Sequence, residues 1–254
     1  MPFRHVLAAS LVTLACALFV GSAQAQGKPA MKSLDDAELS GVWGQALLAL
    51  TNTTTNGYDF SRITLNADIT MSTTLTGLKL GTHADGTSDI DITSLNFGRS
   101  DLDDAHRTVA ITNPYFEWVY SGTAGDRQVV GMRVGFGGIA GDIGLAMNTV
   151  SGSLSLSTPS GQATSLGPQQ TALTGAGGTI ALNQIGGVTA GNSDGASRDF
   201  FLSILKSAVT WPSTNATLGT SAAAQAGFWL NWTDRLAAIN TTGTVPPNVP
   251  KIGP

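Results

Sequence analysis

The chain predicts a mainly β fold: a twisted antiparallel meander, partly rolled or sandwich-like, with a short N-terminal helix. Three observations carry that expectation. Apolar and polar residues alternate with period two over several separate stretches. Charged residues make up 12 % of 254 residues, against about 25 % in ordinary soluble proteins. Thr, Ser, Asn and Gly take their place, while Glu occurs only at Glu38 and Glu117. Thr suits a pleated, half-exposed surface, whereas Glu and Lys suit an exposed helix.

The first element is not part of the fold. Met1-Pro-Phe-Arg-His opens the chain with one Arg, Val6–Val20 runs apolar, and Ala23-Gln24-Ala25 is an A-x-A cleavage site. That is the pattern of a bacterial secretory signal, and its apolar run is too short to cross a bilayer comfortably. Cleavage after Ala25 leaves Gln26 at the mature N-terminus. Cys16 is the only cysteine and lies inside the signal. A lipoprotein anchor there is disfavoured, because Thr13 stands where a branched aliphatic residue is usual. The mature chain has neither a disulfide nor a thiolate metal site.

A short helix is expected within Lys32–Gln45. Ser33 caps a first turn bearing Asp35 and Asp36, where the helix dipole favours acids, and Gly41 and Gly44 end it. Period-two alternation then takes over from Asp59 to Ile92. Ile63, Leu65, Ala67, Ile69 and Met71 fall on one face, and Leu78–Leu80 and Ile90–Ile92 flank a Gly81–Gly86 turn. Further strands are expected over Val109–Tyr120, over Val129–Phe136 with Val130, Met132, Val134 and Phe136 inward, and over Ile143–Leu156. Ser157–Thr179 reads as a long loop and Thr179–Val188 as a short strand. Arg198–Trp211 fits either period, and Gly227–Trp232 reads as the last strand. Val245–Pro254 is a proline-rich tail, extended and outside any packed core. The expected organisation is a signal over 1–25, an N-terminal helix segment over 26–45, a β-rich domain over 46–240 and the tail over 241–254.

Removing Arg4 with the signal takes the net charge from −4 to −5. With no basic run, nucleic-acid binding has no electrostatic support.

Two places carry a resemblance: Leu34-Asp-Asp-Ala-Glu-Leu-Ser-Gly-Val-Trp-Gly-Gln45, and Asn113–Tyr120 taken with Val130–Gly137 and Gly141–Leu145. Together they resemble a group of exported or surface β-rich proteins of Gram-negative bacteria, some assigned to pilus systems of the Fil type. Ser or Thr is frequent there where this chain has Trp43. The resemblance covers about a quarter of the mature chain and implies an envelope or exported β protein. It carries no catalytic residues with it.

The candidate chemistry is thin. Gly191-Asn-Ser-Asp-Gly195 matches G-x-S-x-G, with Ser193 as nucleophile, but no His follows His106 to serve as its base, and Gly, Asn, Ser and Asp are turn residues. Asp85, Asp89, Asp91, Asp101, Asp103 and Asp104 lack the spacing of a calcium loop. Gly137–Asp142 is a single out-of-register match to a calcium-binding nonapeptide. His83 and His106 read as surface histidines rather than a metal pair. Glu117 is expected to point outward from its strand and pair with Arg127 or Arg133, rather than act as a buried acid. Tyr115, Trp118, Tyr120, Trp211, Trp229 and Trp232 suit packing first and a ligand surface second. Trp229 and Trp232 are three apart and should face opposite sides of one strand, leaving one for a second contact.

The chain therefore reads as a non-enzymatic, structural or interaction protein exported to the envelope or surface of a Gram-negative bacterium. The resemblance links it to a pilus or filament system. Its expected location is the periplasm, outer membrane or cell surface, and its expected partners are other envelope proteins or copies of itself. No catalytic, cofactor or metal residue is assigned, and neither a cofactor nor a nucleic-acid partner is expected. A periplasmic lipid- or glycan-binding β module is the alternative, and an outer-membrane β-barrel the second alternative.

Overall fold

The computed structural model describes residues 47–122, 125–212 and 222–249. The helix expected over Lys32–Gln45 and the signal over Met1–Ala25 lie outside those residues. Among the described residues no helix reaches seven residues, and the only helical turns are Asp104–Arg107 and Leu182–Gln184. The rest is strand and connection. Most of it forms one 14-stranded sheet that is antiparallel apart from two short parallel contacts.

The chain opens with a hairpin, β1 (Leu48–Thr55) and β2 (Tyr58–Leu65). Its turn is Asn56-Gly57, both residues at positive φ, the two-residue turn whose twist matches that of the strands. β3 (Asp68–Met71) lies beside β6 (Val109–Ser121), while β4 (Thr73–Thr82) and β5 (Ser88–Phe97) form a second hairpin.

The spine is β7, Gln128–Thr158, 31 residues long. The two strands expected over Val129–Phe136 and Ile143–Leu156 are one. At about 3.3 Å per residue it would span roughly 100 Å if straight, so it bends. Upstream of Gly137-Gly138, Phe136 points to the larger core; downstream, Ile139, Ile143, Leu145 and Met147 do. The register of β6 against β7 is unbroken there, so both strands change phase together, with Asn113, at φ 48, opposite the glycines. The phase flips again at Asn148, bulged between the Thr149–Asp91 and Met147–Ile92 pairs, after which Val150, Leu154 and Leu156 point inward. The extra residue at Asn148 kinks the strand and reverses which side chains are buried.

Along its length β7 pairs with β6, β5 and β8 (Gly161–Gln170) in turn. It also pairs with β12 (Phe201–Leu205) at Gly131–Gly135 and with β11 (Gly187–Ala190) at Gly141–Gly144. β12 pairs onward with β15 (Gly227–Trp232), which runs parallel to Gly152–Leu154. The two arms of β7 are thus joined through β12 and β15, and the sheet curls around its own interior. It is not closed. Among the described residues β1 pairs only with β2, and β10 (Gly178–Ala181) only with β9 (Ala172–Gly175).

Ser157–Thr179 is therefore not a loop. β8, β9 and the start of β10 fill it, with Ala163, Ser165 and Leu173 buried. Its small polar residues hide a half-buried alternation because Ala and Ser carry the inward positions. Nor is Gly227–Trp232 the last strand, since β16 (Leu236–Asn240) follows and pairs with β11. Arg198–Trp211 contains β12 and β13 (Val209–Trp211), the latter paired with β14 (Ala222–Ala224).

Two apolar clusters form on opposite faces of β12 and β15. The larger includes Ile90, Ile143, Leu154, Leu230 and Trp232; the smaller includes Phe60, Val119, Phe201, Trp211 and Trp229. Trp229 and Trp232 do face opposite sides, but both are buried, so neither is left over. The tail is extended as expected, yet Val245–Val249 is tied to the body. Pro246 and Pro247 carbonyls accept from Asn96 Nδ2 and from the Ser100 N–H, both at 2.8 Å. Asn248 Nδ2 donates to the carbonyls of Phe97 and Thr73 at 3.0 and 3.2 Å.

Candidate functional site: an apolar cavity and its groove

The larger cluster is not filled. Inside the curl lies a cavity of about 190 Å³. β4 and β5 supply Leu78, Leu80, Ile90, Ile92, Leu95 and Phe97. β7 supplies Ile139, Ile143, Leu145, Met147 and Leu154. Phe200, Leu202, Leu230 and Trp232 complete the wall. Every lining side chain is aliphatic, Met, Phe or Trp. The one polar side-chain group among them, the Trp232 indole N–H, donates to Ser197 Oγ at 2.9 Å. Nothing on the wall offers a hydrogen bond, and an apolar cavity of about 150 Å³ elsewhere stays dry and takes benzene or xenon.

Beside the cavity lies a shallower groove of about 530 Å³, lined by Gly81, Asp89, Trp118, Val129–Met132, Ile204–Lys206, Gly227 and Phe228. The two adjoin on four strands: Leu80 and Gly81, Ile90 and Asp89, Leu202 and Ile204, Leu230 and Phe228 line cavity and groove respectively.

The same face runs on across the sheet. Leu50, Ile63, Phe116, Val134, Leu202 and Leu230 are successive register partners on β1, β2, β6, β7, β12 and β15. Partners directly opposite share a face. Leu50 is 67 % exposed and Phe116 50 %, whereas Leu230 is 8 % exposed. An apolar row thus leads from open surface into the cavity wall.

Asp89 closes one end of the groove. Its carboxylate accepts from His83 Nε2 at 3.0 Å, Ser151 Oγ at 3.2 Å and the Phe228 N–H at 3.0 Å. A Cβ at Gly81 or Gly227 would lie 2.3 or 2.6 Å from Asp89 Oδ2, so both positions require Gly. Asp89, His83 and Ser151 make a structural knot. Ser151 and His83 both meet Asp89, which is not the serine–histidine–acid relay of a hydrolase.

On the opposite face Arg62, Glu117, Arg133, Ser203 and Trp229 form the matching row. Glu117 does not point outward. It is buried and accepts from Arg133 Nε and, at 3.1 and 3.0 Å, from Arg62 Nε and Nη2. The pairing with Arg133 is as expected, while Arg127 instead meets Asp59 at 2.9 Å. The Arg133 guanidinium lies 4.5 Å from the Trp211 ring centre and 5.0 Å from that of Phe201, and Arg62 lies 4.2 Å from that of Tyr115. Burial pulls Arg133 below the usual arginine range, opposed by Tyr115 and Glu117, and pushes the Tyr115 phenol up.

The other marked residues are spread over the surface. Ser193 sits exposed in a hairpin turn closed by two 3.0 Å bonds between Asn192 and Gly195. No helix follows it. Asp85 accepts from Thr87 Oγ1 at 2.7 Å, which lowers its pKa. Asp91, Asp101, Asp103 and Asp104 pair with Lys79, Arg99, His106 and Arg107. Among the described residues no three acidic or histidine side chains gather into a metal-sized group. Asp142 accepts from Thr189 Oγ1 at 2.6 Å, in strand pairing rather than in a calcium turn. Of the aromatics, Trp232 lines the cavity, Trp118 the groove, and Tyr115 and Trp211 enclose the arginine.

The alternations at Leu78–Leu80 and Ile90–Ile92 marked inward faces in the sequence. That those faces stop short of Leu202 and Leu230, leaving space, depends on long-range curvature. Comparison with protein-family models, curated proteins and solved structures yields no match to this chain.

Proposed function

We propose that this protein is a non-enzymatic, exported binding module that takes up an apolar molecule such as the alkyl chain of a lipid. The observation that carries this reading is the cavity of about 190 Å³ with an exclusively apolar wall. A large apolar pocket is the default binding-site hypothesis for a protein of unassigned function. A hydroxyl or amide in such a place goes without a partner, at a cost of about 1–3 kcal/mol each. That favours an alkyl chain over a glycan. The signal-like Met1–Ala25 supports export.

The test is thermal unfolding of the purified protein with saturating benzene or octane. A ligand at 100 times its Kd adds about 2.7 kcal/mol, so the midpoint rises by several degrees. Leu154→Phe, which fills the cavity, removes the rise. A wild-type midpoint unmoved by any apolar ligand refutes the reading.

A structural or interaction role in the envelope, with the resemblance to pilus-system proteins behind it, is the second reading. Among the described residues the outer edge of β1 has no partner, which favours it: this strand has no charge and no proline, and Leu48 and Leu50 are exposed. Uncapped edges of this kind pair with other strands. If β1 joins two copies, Leu50→Lys converts a dimer to a monomer in light scattering. For the outer-membrane barrel the open sheet is unfavourable, because hydrocarbon leaves unpaired edge groups unsatisfied.

A further inference from the structure

We propose that the ligand is a single-chain anionic amphiphile, its alkyl chain running through groove and cavity and its acid group held by Lys206. This rests on the cavity as a binding site and assigns the polar end of what it binds.

Lys206 stands apart from every other described cation. Arg62, Lys79, Arg99, Arg107, Arg127, Arg133, Arg198 and Arg235 each have a carboxylate oxygen within 4.0 Å. Among the described residues Lys206 alone has none. It is exposed, and its backbone N–H, donating to the Val130 carbonyl at 2.8 Å, pins it to the groove wall. In a chain of net charge −4, an unneutralised lysine at the mouth of an apolar groove is not general basic surface.

The direction of the ligand follows from the walls. The cavity end offers no hydrogen bond and must take the methyl end of a chain. Leu202, on the cavity wall, and Lys206 are four residues apart on one strand and its exit, roughly 13 Å at strand rise. Between them the groove is lined mainly by Ile204, Phe228, Met132 and Trp118. Its other charged group, Asp89, turns its oxygens to His83, Ser151 and the Phe228 N–H. A cationic head group therefore finds its carboxylate already engaged, and an anionic one finds a lysine without a partner.

Isothermal titration of the full chain with laurate, dodecyl phosphate, 1-dodecanol and dodecyltrimethylammonium, each below its micelle concentration, tests this. Laurate and dodecyl phosphate share the required chemistry, and their ratio tells a fatty acid from a phosphate head group. Both should bind about tenfold or more tightly than dodecanol, the scale of a charged hydrogen bond, with the advantage shrinking as salt rises. Lys206→Gln should reduce the acids to the affinity of dodecanol and leave dodecanol unchanged. Lys206→Glu should turn the preference toward the ammonium. Equal binding of laurate and dodecanol, or acid binding unaffected by Lys206→Gln, overturns the head-group assignment while the cavity reading stands. If no chain binds and benzene shifts nothing, both fall.

Discussion

Glu117 and Arg133 stand directly opposite each other on β6 and β7, both buried, with Arg133 Nε donating to Glu117 Oε2. Arg62 takes the same carboxylate from β2 on the other side. One acid therefore pairs with two arginines beneath Tyr115 and Trp211, on the face of the sheet that turns away from the cavity. A buried pair of this kind gives little net stability but is costly to break.

Glu117→Gln should therefore be severe. It leaves Arg133 without a counter-charge, at a cost of about 3–5 kcal/mol out of a typical total of about 5–15 kcal/mol. Replacing the pair together, Glu117→Leu with Arg133→Met, should cost less than the single change. Urea midpoints of the two variants and the wild type decide the order.

Tyr115 gives the structure an alkaline limit. Burial holds its phenol above the ordinary value of 10.0. The unfolded chain gives up that proton first, so this contribution is intact below about pH 10 and is lost as pH rises through the folded value. Stability should fall with pH in that window, and Tyr115→Phe should flatten the slope. Phenolate absorbance during alkaline titration should show a late step that is absent from the variant.

Gly131 is where β12 comes close to β7. A Cβ there would stand 2.2 Å from the Ile204 carbonyl and 2.9 Å from Leu205 Cα. Gly131→Val should force the strands apart at a cost of about 1–3 kcal/mol or more. The neighbouring Val129 is 44 % exposed, and Val129→Ala should stay within about 0.5 kcal/mol. Denaturation of the two variants side by side checks the contrast.

The tail should behave as part of the domain. Asn248→Ala removes the donor that reaches both Phe97 and Thr73 at the ends of β5 and β4, a loss of about 1–3 kcal/mol for two carbonyls left to weaker partners. Limited proteolysis should then cut the β4–β5 hairpin sooner. An unchanged digestion pattern would mean that the tail does not brace it.

Much of the fold was legible along the chain. Period-two alternation located β2, β4 and β5, because a strand writes its two faces into adjacent residues. The turn residues of Gly191–Gly195 signalled a hairpin turn at Ser193. Other features were legible only in part. Alternation places Phe136 inward; it is half-buried, and the most deeply buried residue of that stretch is Arg133, on the face it shares with Gly131 and Gly135. A charged side chain reads as exposed when its partner, here Glu117, lies 16 residues away on another strand. β8 carries no apolar signature, because Ala163 and Ser165 fill its inward positions.

The sequence by itself determined the strand-rich class, the order of the main strands and the opposite facing of Trp229 and Trp232. Each of these is local, set by backbone alternation over a few residues. Tertiary structure alone decided that β7 is one strand bent at Gly137-Gly138 and Asn148, that its two arms meet through β12 and β15, and that the interior they enclose is left unfilled, beside a groove lined in part by Lys206. Those outcomes depend on how kinks accumulate over 31 residues and on which distant strands share an edge, and no local pattern of side chains encodes either.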